Sequence, residues 1–289
     1  MTRRNRLTPS VADVRRAVRE SFERHGVASG DLVLVACSGG PDSMALAAGL
    51  AFEGPKLGLR LGAVIVDHGI QEITATVAEE TKTQLEALGF NPVRSVRVNV
   101  GSDGGLEAAA RSARYEAIDE VAAELDAKYV LLGHTRDDQA ETVLLGLARG
   151  SGARSLSGMA ELTGRYLRPL LGITRETTVQ ACEDADLKVW HDPHNSEERF
   201  ARVRVREQVL PVLEEQLGPG IAEALARTAD QLREDDEVLD NLAEHAYHEL
   251  VKAGPTSLSA DVKALAELQP AIRYRVIRLA GTTLGGHLH

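Results

Sequence analysis

Residues 32–43 read LVLVACSGGPDS, and MALAAGLAF follows at 44–52. A run of apolar residues stops at a loop of small residues, and a helix-like stretch starts directly behind it. In an open α/β sheet ligands bind beyond the carboxyl ends of the strands, where a starting helix presents free N–H groups that favour anions. Ser38, Gly39 and Gly40 sit at such a point. Glycines let the backbone come close and adopt positive φ, serines add hydroxyl donors, and successive N–H groups can form an anion nest. Phosphate is the natural guest; a plain strand-to-helix turn is the other reading of so short a string. No GxxxxGK[ST] occurs, so no Walker lysine neutralises the β and γ phosphates. Asp42 follows instead, and a carboxylate beside a polyphosphate needs a cation between them, which predicts Mg²⁺.

Around this stretch, apolar runs alternate with amphipathic ones: LVLVAC (32–37), LGAVIV (61–66), VRSVRVNV (93–100), YVLLG (129–133) and YLRPLLGI (166–173). The alternation predicts right-handed βαβ units and a doubly wound parallel sheet covered on both faces. Thr8 and Pro9 mark the start of a leading helix, along which Val11, Val14, Val18 and Phe22 recur at helical spacing. After Trp190 the pattern changes: HNSEERFARVRVREQVLPVL (194–213) leads through Gly218-Pro219-Gly220 into acidic helical sequence. A boundary near Pro219 gives a catalytic domain over 1–218, with a linker helix at about 196–217, and a smaller helical domain over 219–289.

Composition excludes several classes. No stretch nears the roughly 20 apolar residues that span a membrane, and MTRRNRLTPSVADVRR lacks the apolar core of a signal peptide, so a cytoplasmic protein is expected. Cys37 and Cys182 make neither a disulfide framework nor a CxxC pair and read as buried thiols. The net charge of −10 argues against a generic nucleic-acid coat, which leaves local basic surfaces as the place for phosphate backbones. With aromatic residues at 3%, a broad base-stacking platform is not expected, so RNA recognition would be local and led by shape.

GHTRDDQAETVLLGLARGSGARSLSGM (133–159) begins at a strand end, and its acids Asp137, Asp138 and Glu141 fall in the first two turns of a helix. Helix-dipole complementation, about 0.3–1 kcal/mol per acid, accounts for them equally well on sequence alone. In LEAAARSARYEAIDEVAAEL (106–125), Arg111 and Arg114 share a stripe with Ile118, Val121 and Leu125, as phosphate contacts or as cations snorkelling beside the core. Arg202 and Arg206 share a helical face, whereas a strand would put Arg202, Arg204 and Arg206 on one side; a substrate contact and a solvated surface both remain open. Arg149 and Arg154 punctuate a Gly/Ser-rich loop that reads as mobile and RNA-facing. Asp67 and His68 end the second strand, as a nucleotide contact or a simple turn.

SGGPDS is similar to the SGGxDS loop of the PP-loop (N-type) ATP pyrophosphatases, a resemblance that implies ATP cleavage between α and β phosphates and adenylation of a carbonyl oxygen. Residues 133–159 resemble the GHxxDDxxET and RGxGxxGLxGM patterns of the tRNA(Ile)-lysidine synthetase family, with Ser155 in place of the third glycine. Residues 110–115 match its ARxxRY motif. Asp192 and Asn195 match DxxN, and Arg202, Arg206 and a closing Leu210-Pro211 match RNxxR and LP, with Val203 where asparagine is expected.

This resemblance implies a five-stranded sheet of order 3-2-1-4-5 and an enzyme that adenylates the wobble cytidine C2 of a CAU-anticodon tRNA(Ile), then replaces AMP with the ε-amine of free L-lysine. It implies ATP contacts at Ser38, Gly39, Gly40, Pro41, Asp42, Ser43, Asp67, His68, Gly133 and His134, and Mg²⁺ at Asp42 and Asp137. Asp138 and Glu141 would take the lysine amine and assist its deprotonation, Arg114 would meet substrate or developing charge, and Arg111, Arg149, Arg154, Arg202 and Arg206 would meet tRNA or substrate. A PP-loop tRNA thiolase and a catalytically silent ATP- or tRNA-binding module are the alternatives, and a homodimer stays open.

Overall fold

Pro9 opens α1 (Pro9–His25) in the first turn, where its missing N–H is no loss, and Gly26 closes it at φ 62° with its N–H on Phe22 O. Val14, Val18 and Phe22 form its buried stripe. The computed structural model describes residues 7–67, 72–98, 106–150, 152–192, 200–254 and 257–284. After α1 come β1 (Leu32–Ala36), α2 (Pro41–Glu53), β2 (Arg60–Asp67), α3 (Glu72–Ala87), β3 (Val93–Arg97), α4 (Leu106–Glu124), β4 (Tyr129–Leu132) and α5 (Arg136–Ala148). A short α6 (Ala153–Leu156), the hairpin β5 (Leu162–Thr163) and β6 (Tyr166–Leu167), and α7 (Arg175–Asp184) follow. The charged stretch folds as α8 (Ala201–Arg204), a π-helical turn (Val205–Val209) and α9 (Leu210–Leu217). Then come α10 (Ile221–Leu250), the hairpin β7 (Val251–Ala253) and β8 (Leu258–Ala260), α11 (Val262–Glu267) and α12 (Pro270–Thr283).

The sheet runs β3-β2-β1-β4-β6-β5, parallel except for the last pair. The order expected for five strands is present, with YLRPLLGI supplying the fifth as β6, but the sheet has six. The sixth, β5, is a two-residue edge strand folded back by a hairpin through Gly164 at φ 58°, too short to leave an alternation in the sequence. Strand alternation divides the core. Val33, Val35, Ala63, Ile65, Leu131 and Leu167 pack on the side of α1 and α2. Leu32, Leu34, Val64, Val130 and Leu132 pack against Ile118, Val121 and Ala122 of α4.

β1 and β4 are neighbours whose following helices start at the same edge. A Cβ on Gly133 would lie 3.0 Å from backbone atoms of Asp42 and Ser43, so only glycine lets the turn after β4 pass the first turn of α2.

The chain divides into two compact units, 7–145 with 159–226 and 146–158 with 227–284. Within the second, Arg154 of α6 pairs with Asp236 and Asp240 of α10, and Arg275 of α12 pairs with the same two acids. No described helix is long and apolar enough to cross a membrane.

Gly133→Ala should force these two turns apart, lowering stability by about 1–3 kcal/mol and weakening ATP binding with it. Leu85→Ala, a fully buried truncation in α3, should lower stability by about 2–5 kcal/mol and leave ATP affinity of the folded protein alone. Urea denaturation and calorimetric ATP titration check both.

Candidate active site

The chain turns from β1 into α2 through Ser38, Gly39 and Gly40. Ser43 Oγ donates to Gly40 O at 2.9 Å and accepts from Ser38 N at 3.2 Å, and the Ser38 and Ser43 hydroxyls lie 3.3 Å apart. Gly39 holds φ 81°, and a Cβ there would lie 2.6 Å from Thr81 Oγ1. Trp190 N donates to Gly39 O at 2.9 Å, which fixes the loop from outside. α2 has no side-chain cap, and its first helical bond runs from Met44 N to Gly40 O, so the N–H groups of Asp42 and Ser43 precede the ladder and point at the ligand edge. Cys37 and Cys182 are buried and unbridged. Burial pushes the Cys37 thiol up, and burial with Asp42 nearby pushes Cys182 up to about 12, so neither supplies a thiolate.

Across the switch point stand the acids of α5. Asp138 Oδ2 accepts from Thr135 N at 2.8 Å and Thr135 Oγ1 at 2.9 Å, which caps α5. Asp138 Oδ1 takes Arg175 Nη2 at 2.9 Å. The same guanidinium reaches Asp42 Oδ2 at 3.4 Å and Glu141 Oε1 at 3.4 Å. Glu141 is fully buried and forked by Arg206, Nε to Oε1 at 2.7 Å and Nη2 to Oε2 at 3.1 Å. Arg202 stands 3.9 Å from both Asp138 and Glu141 and donates to Thr142 Oγ1 at 3.2 Å.

These surroundings separate the acids. Burial works against ionised Asp138, yet Arg175, His134 and the Thr135 hydrogen bonds outweigh it and hold the carboxyl below its usual range. Burial dominates at Asp42 and raises it, although Thr178 Oγ1 donates to its Oδ1 and Arg175 stands by.

The remaining residues singled out in the sequence divide clearly. Ser38, Gly39, Gly40, Pro41, Asp42, Ser43, Gly133, Asp138 and Glu141 gather at the β1 and β4 ends. Asp137 Oδ2 accepts from Arg175 N at 2.8 Å, so it anchors the start of α7. Asp67 is buried at the end of β2, 4.0 Å from Arg97. His68 and Asn195 lie outside the described residues. Arg202 and Arg206 are helical, as one of the two readings had it, and turn inward onto the acids instead of forming a basic face; Val203 between them is buried. Arg154 is committed to Asp236 and Asp240, and Arg149 is exposed. Burial lowers His134 to about 4, so its ring is neutral at pH 7.

Arg175 is the residue the sequence reading missed. Thr174 caps α7 by accepting from Thr177 N, a start signal that is legible. An arginine at the first position runs against the helix dipole, and that anomaly is the available cue.

A phosphate-shaped loop at the β1 end and a clamped acid cluster at the β4 end define a nucleotide-using α/β domain. The PP-loop domain family matches residues 11–213, and the chain is a PP-loop domain protein that uses ATP. The chain is 56% identical over 256 residues to the tRNA(Ile)-lysidine synthase of Leifsonia xyli subsp. xyli, covering 88% of this chain and 77% of that one. It is 55% identical over 277 residues to that of Thermobifida fusca, covering 96% and 84%. The U34-tRNA thiolase NcsA from Methanococcus maripaludis shares the fold at TM-score 0.67 and 20% identity, covering 78% of this chain and 80% of that one. The chain belongs to the tRNA(Ile)-lysidine synthase family, ligase-type enzymes that use ATP.

Asp42→Asn tests the raised carboxyl. A folded pKa above the unfolded value of about 3.9 means the native state loses stability as pH rises through the folded pKa. The variant should therefore melt no lower than the parent at pH 7, with its advantage shrinking toward pH 4, while pyrophosphate release collapses. A melting point well below the parent at pH 7 would assign Asp42 a structural role.

Proposed function

We propose that this chain converts the wobble cytidine of a CAU-anticodon tRNA(Ile) to lysidine, with ATP and free L-lysine as co-substrates, in the cytoplasm where tRNA is matured. The observation that carries the reading is the pairing, at one switch point, of an uncapped helix N-terminus with an ordered acid cluster. The N–H groups of Asp42 and Ser43 and the loop hydroxyls grip β and γ phosphates, which makes the α–β bond the one that breaks. The cytidine O2 attacks the α-phosphorus, pyrophosphate leaves, and the lysine amine then displaces AMP at C2. A carbonyl oxygen is a poor leaving group and AMP a good one, so activation must come first.

The donor set bears on Mg²⁺. Among the described residues no three His, Cys, Asp or Glu side chains gather to hold a metal alone. Mg²⁺ usually rests on one or two carboxylates plus substrate phosphates, and Asp42, in the first turn of α2 behind the loop, fits that pattern. Asp137 has one oxygen already on Arg175 N and one left for such a role. When bound, the ion would neutralise phosphate charge.

Lysine enters as a cation with an unperturbed pKa of about 10.4 and must lose a proton before it attacks. Asp138 Oδ1 is the acid oxygen best suited to it, because Oδ2 is fixed by Thr135 while Oδ1 is held by the displaceable Arg175 side chain. Glu141, fully buried beneath Arg206, serves as a positioning residue that holds the arginines in place.

Incubation with ATP, Mg²⁺, lysine and a CAU-anticodon tRNA should yield AMP and a lysine-bearing nucleoside; AMP release indifferent to lysine overturns the reading. Asp138→Asn keeps the cap on α5 but loses the charge, so the lysine concentration for half-maximal rate should rise roughly tenfold or more while adenylation persists. Steady-state lysine titration alongside pyrophosphate release separates the two.

A further inference from the structure

β4 has a second side. β6 pairs with it in parallel, Val130 with Tyr166 and Leu131 with Leu167, so the two strands end together at the ligand edge. Alternation puts Tyr166 on the α4 face with Val130 and Leu132, and Arg168 follows two residues after it. α4 is tied to this corner: the Tyr115 and Tyr166 rings meet edge-on at 4.9 Å, and Arg111 lies 5.1 Å from the Tyr115 ring centroid.

The corner is rich in arginine. Arg168 is buried at 6% exposure; its Nη1 donates to Ala160 O at 2.8 Å and Thr163 Oγ1 at 3.1 Å, and its Nε finds no partner. No ion pair joins Arg111, Arg114 or Arg168 to a carboxylate among the described residues. His134 Nδ1 is likewise buried and unpartnered. After desolvation, Arg168, Arg111 and Arg202 are what keep that ring uncharged, against the pull of Asp138. In a chain with net charge −10, leaving a buried guanidinium without an acid is expensive and is explained by an anion that arrives with a ligand.

We propose that Arg168 and Arg111, with His134 at the seam, form a second anion subsite on the side of β4 away from the phosphate loop, and that it takes a backbone phosphodiester of the RNA flanking the cytidine under modification. This rests on the proposed function and assigns the substrate a contact there. A base that must present O2 to the α-phosphate has to be turned out of its stack and held by the adjoining backbone. Arg111 and Arg114 are exposed at the mouth and open to a macromolecule, whereas Arg168 waits behind them.

The test uses a CAU anticodon stem-loop RNA, titrated against the full chain at several salt concentrations. Arg168→Gln and Arg111→Gln should each weaken binding roughly tenfold and flatten the log–log salt slope by about 0.7, with ATP affinity in the absence of RNA unchanged. Arg111 is exposed, so its variant keeps the proposal falsifiable should Arg168→Gln fail to fold. A single neutral methylphosphonate linkage flanking the cytidine should weaken the parent protein by the same factor and weaken the Arg168→Gln and Arg111→Gln proteins no further. Additive losses at both flanking positions, in a parent that binds the stem-loop and forms lysidine, overturn this subsite and leave the proposed function standing. A tenfold loss of ATP affinity with RNA binding untouched reassigns the subsite to a nucleotide phosphate and also overturns it. A parent that binds no stem-loop RNA removes both.

Discussion

One guanidinium holds the ligand edge together. Arg175 bridges Asp42 of α2 with Asp138 and Glu141 of α5, three carboxylates that repel one another at close range in a poorly solvated cleft. A cation among them offsets that repulsion where the starts of α2 and α5 sit side by side and Gly133 passes close over the Asp42 and Ser43 backbone. The arginine stands at the first position of α7, where the helix dipole disfavours it. Asp137 offsets this by accepting from the Arg175 N–H, so four acids and Arg175, from three helices, form a single electrostatic unit that Arg202 and Arg206 join from the segment after Phe200.

Within that unit the charges are unequally satisfied. Glu141 is fully forked by Arg206, and Asp138 is held by hydrogen bonds on both oxygens. Asp42 is the strained member, raised by burial despite Thr178 and Arg175. It stands beside the open N–H groups of α2, where nucleotide phosphates and their counterion would relieve the imbalance. The raised charge thus lies at the proposed ligand site, as expected when function and stability compete at a site.

Much of this was legible in the sequence, for identifiable reasons. The strand, the small-residue loop and the helix start at 32–52 depend on local chemistry, and the apolar alternation at 61–66 and 129–133 reports burial on both faces of a parallel sheet. β5 was illegible because two residues cannot show a period. The direction of Arg202 and Arg206 was illegible for a different reason. RVRVR specifies a basic stripe, but only the tertiary approach of α8 to α5 decides whether that stripe meets solvent or Glu141. Arg154 shows the same limit, since Asp236 and Asp240 lie more than 80 positions away in the chain. Arg175 required knowing that three separate acids converge on it.

The short strand β4 explains why the chemistry gathers where it does. It spans only Tyr129–Leu132, so both its neighbours, β1 and β6, reach the ligand edge beside the Gly133-His134 turn. On the β1 side the backbone is stripped to glycine and the free groups are N–H donors. On the β6 side the free groups are guanidinium and imidazole nitrogens. An adenylation that joins a nucleotide to an RNA base needs two polyanions brought within bonding distance, and their mutual repulsion is the main obstacle. The proposed subsite on the β6 side would meet that obstacle geometrically: each anion would have its own donors, with β1 and β6 two strand spacings, roughly 10 Å, apart. On the proposed reading, Asp138 Oδ1 of α5 would be the acid oxygen that takes the incoming amine as it loses its proton.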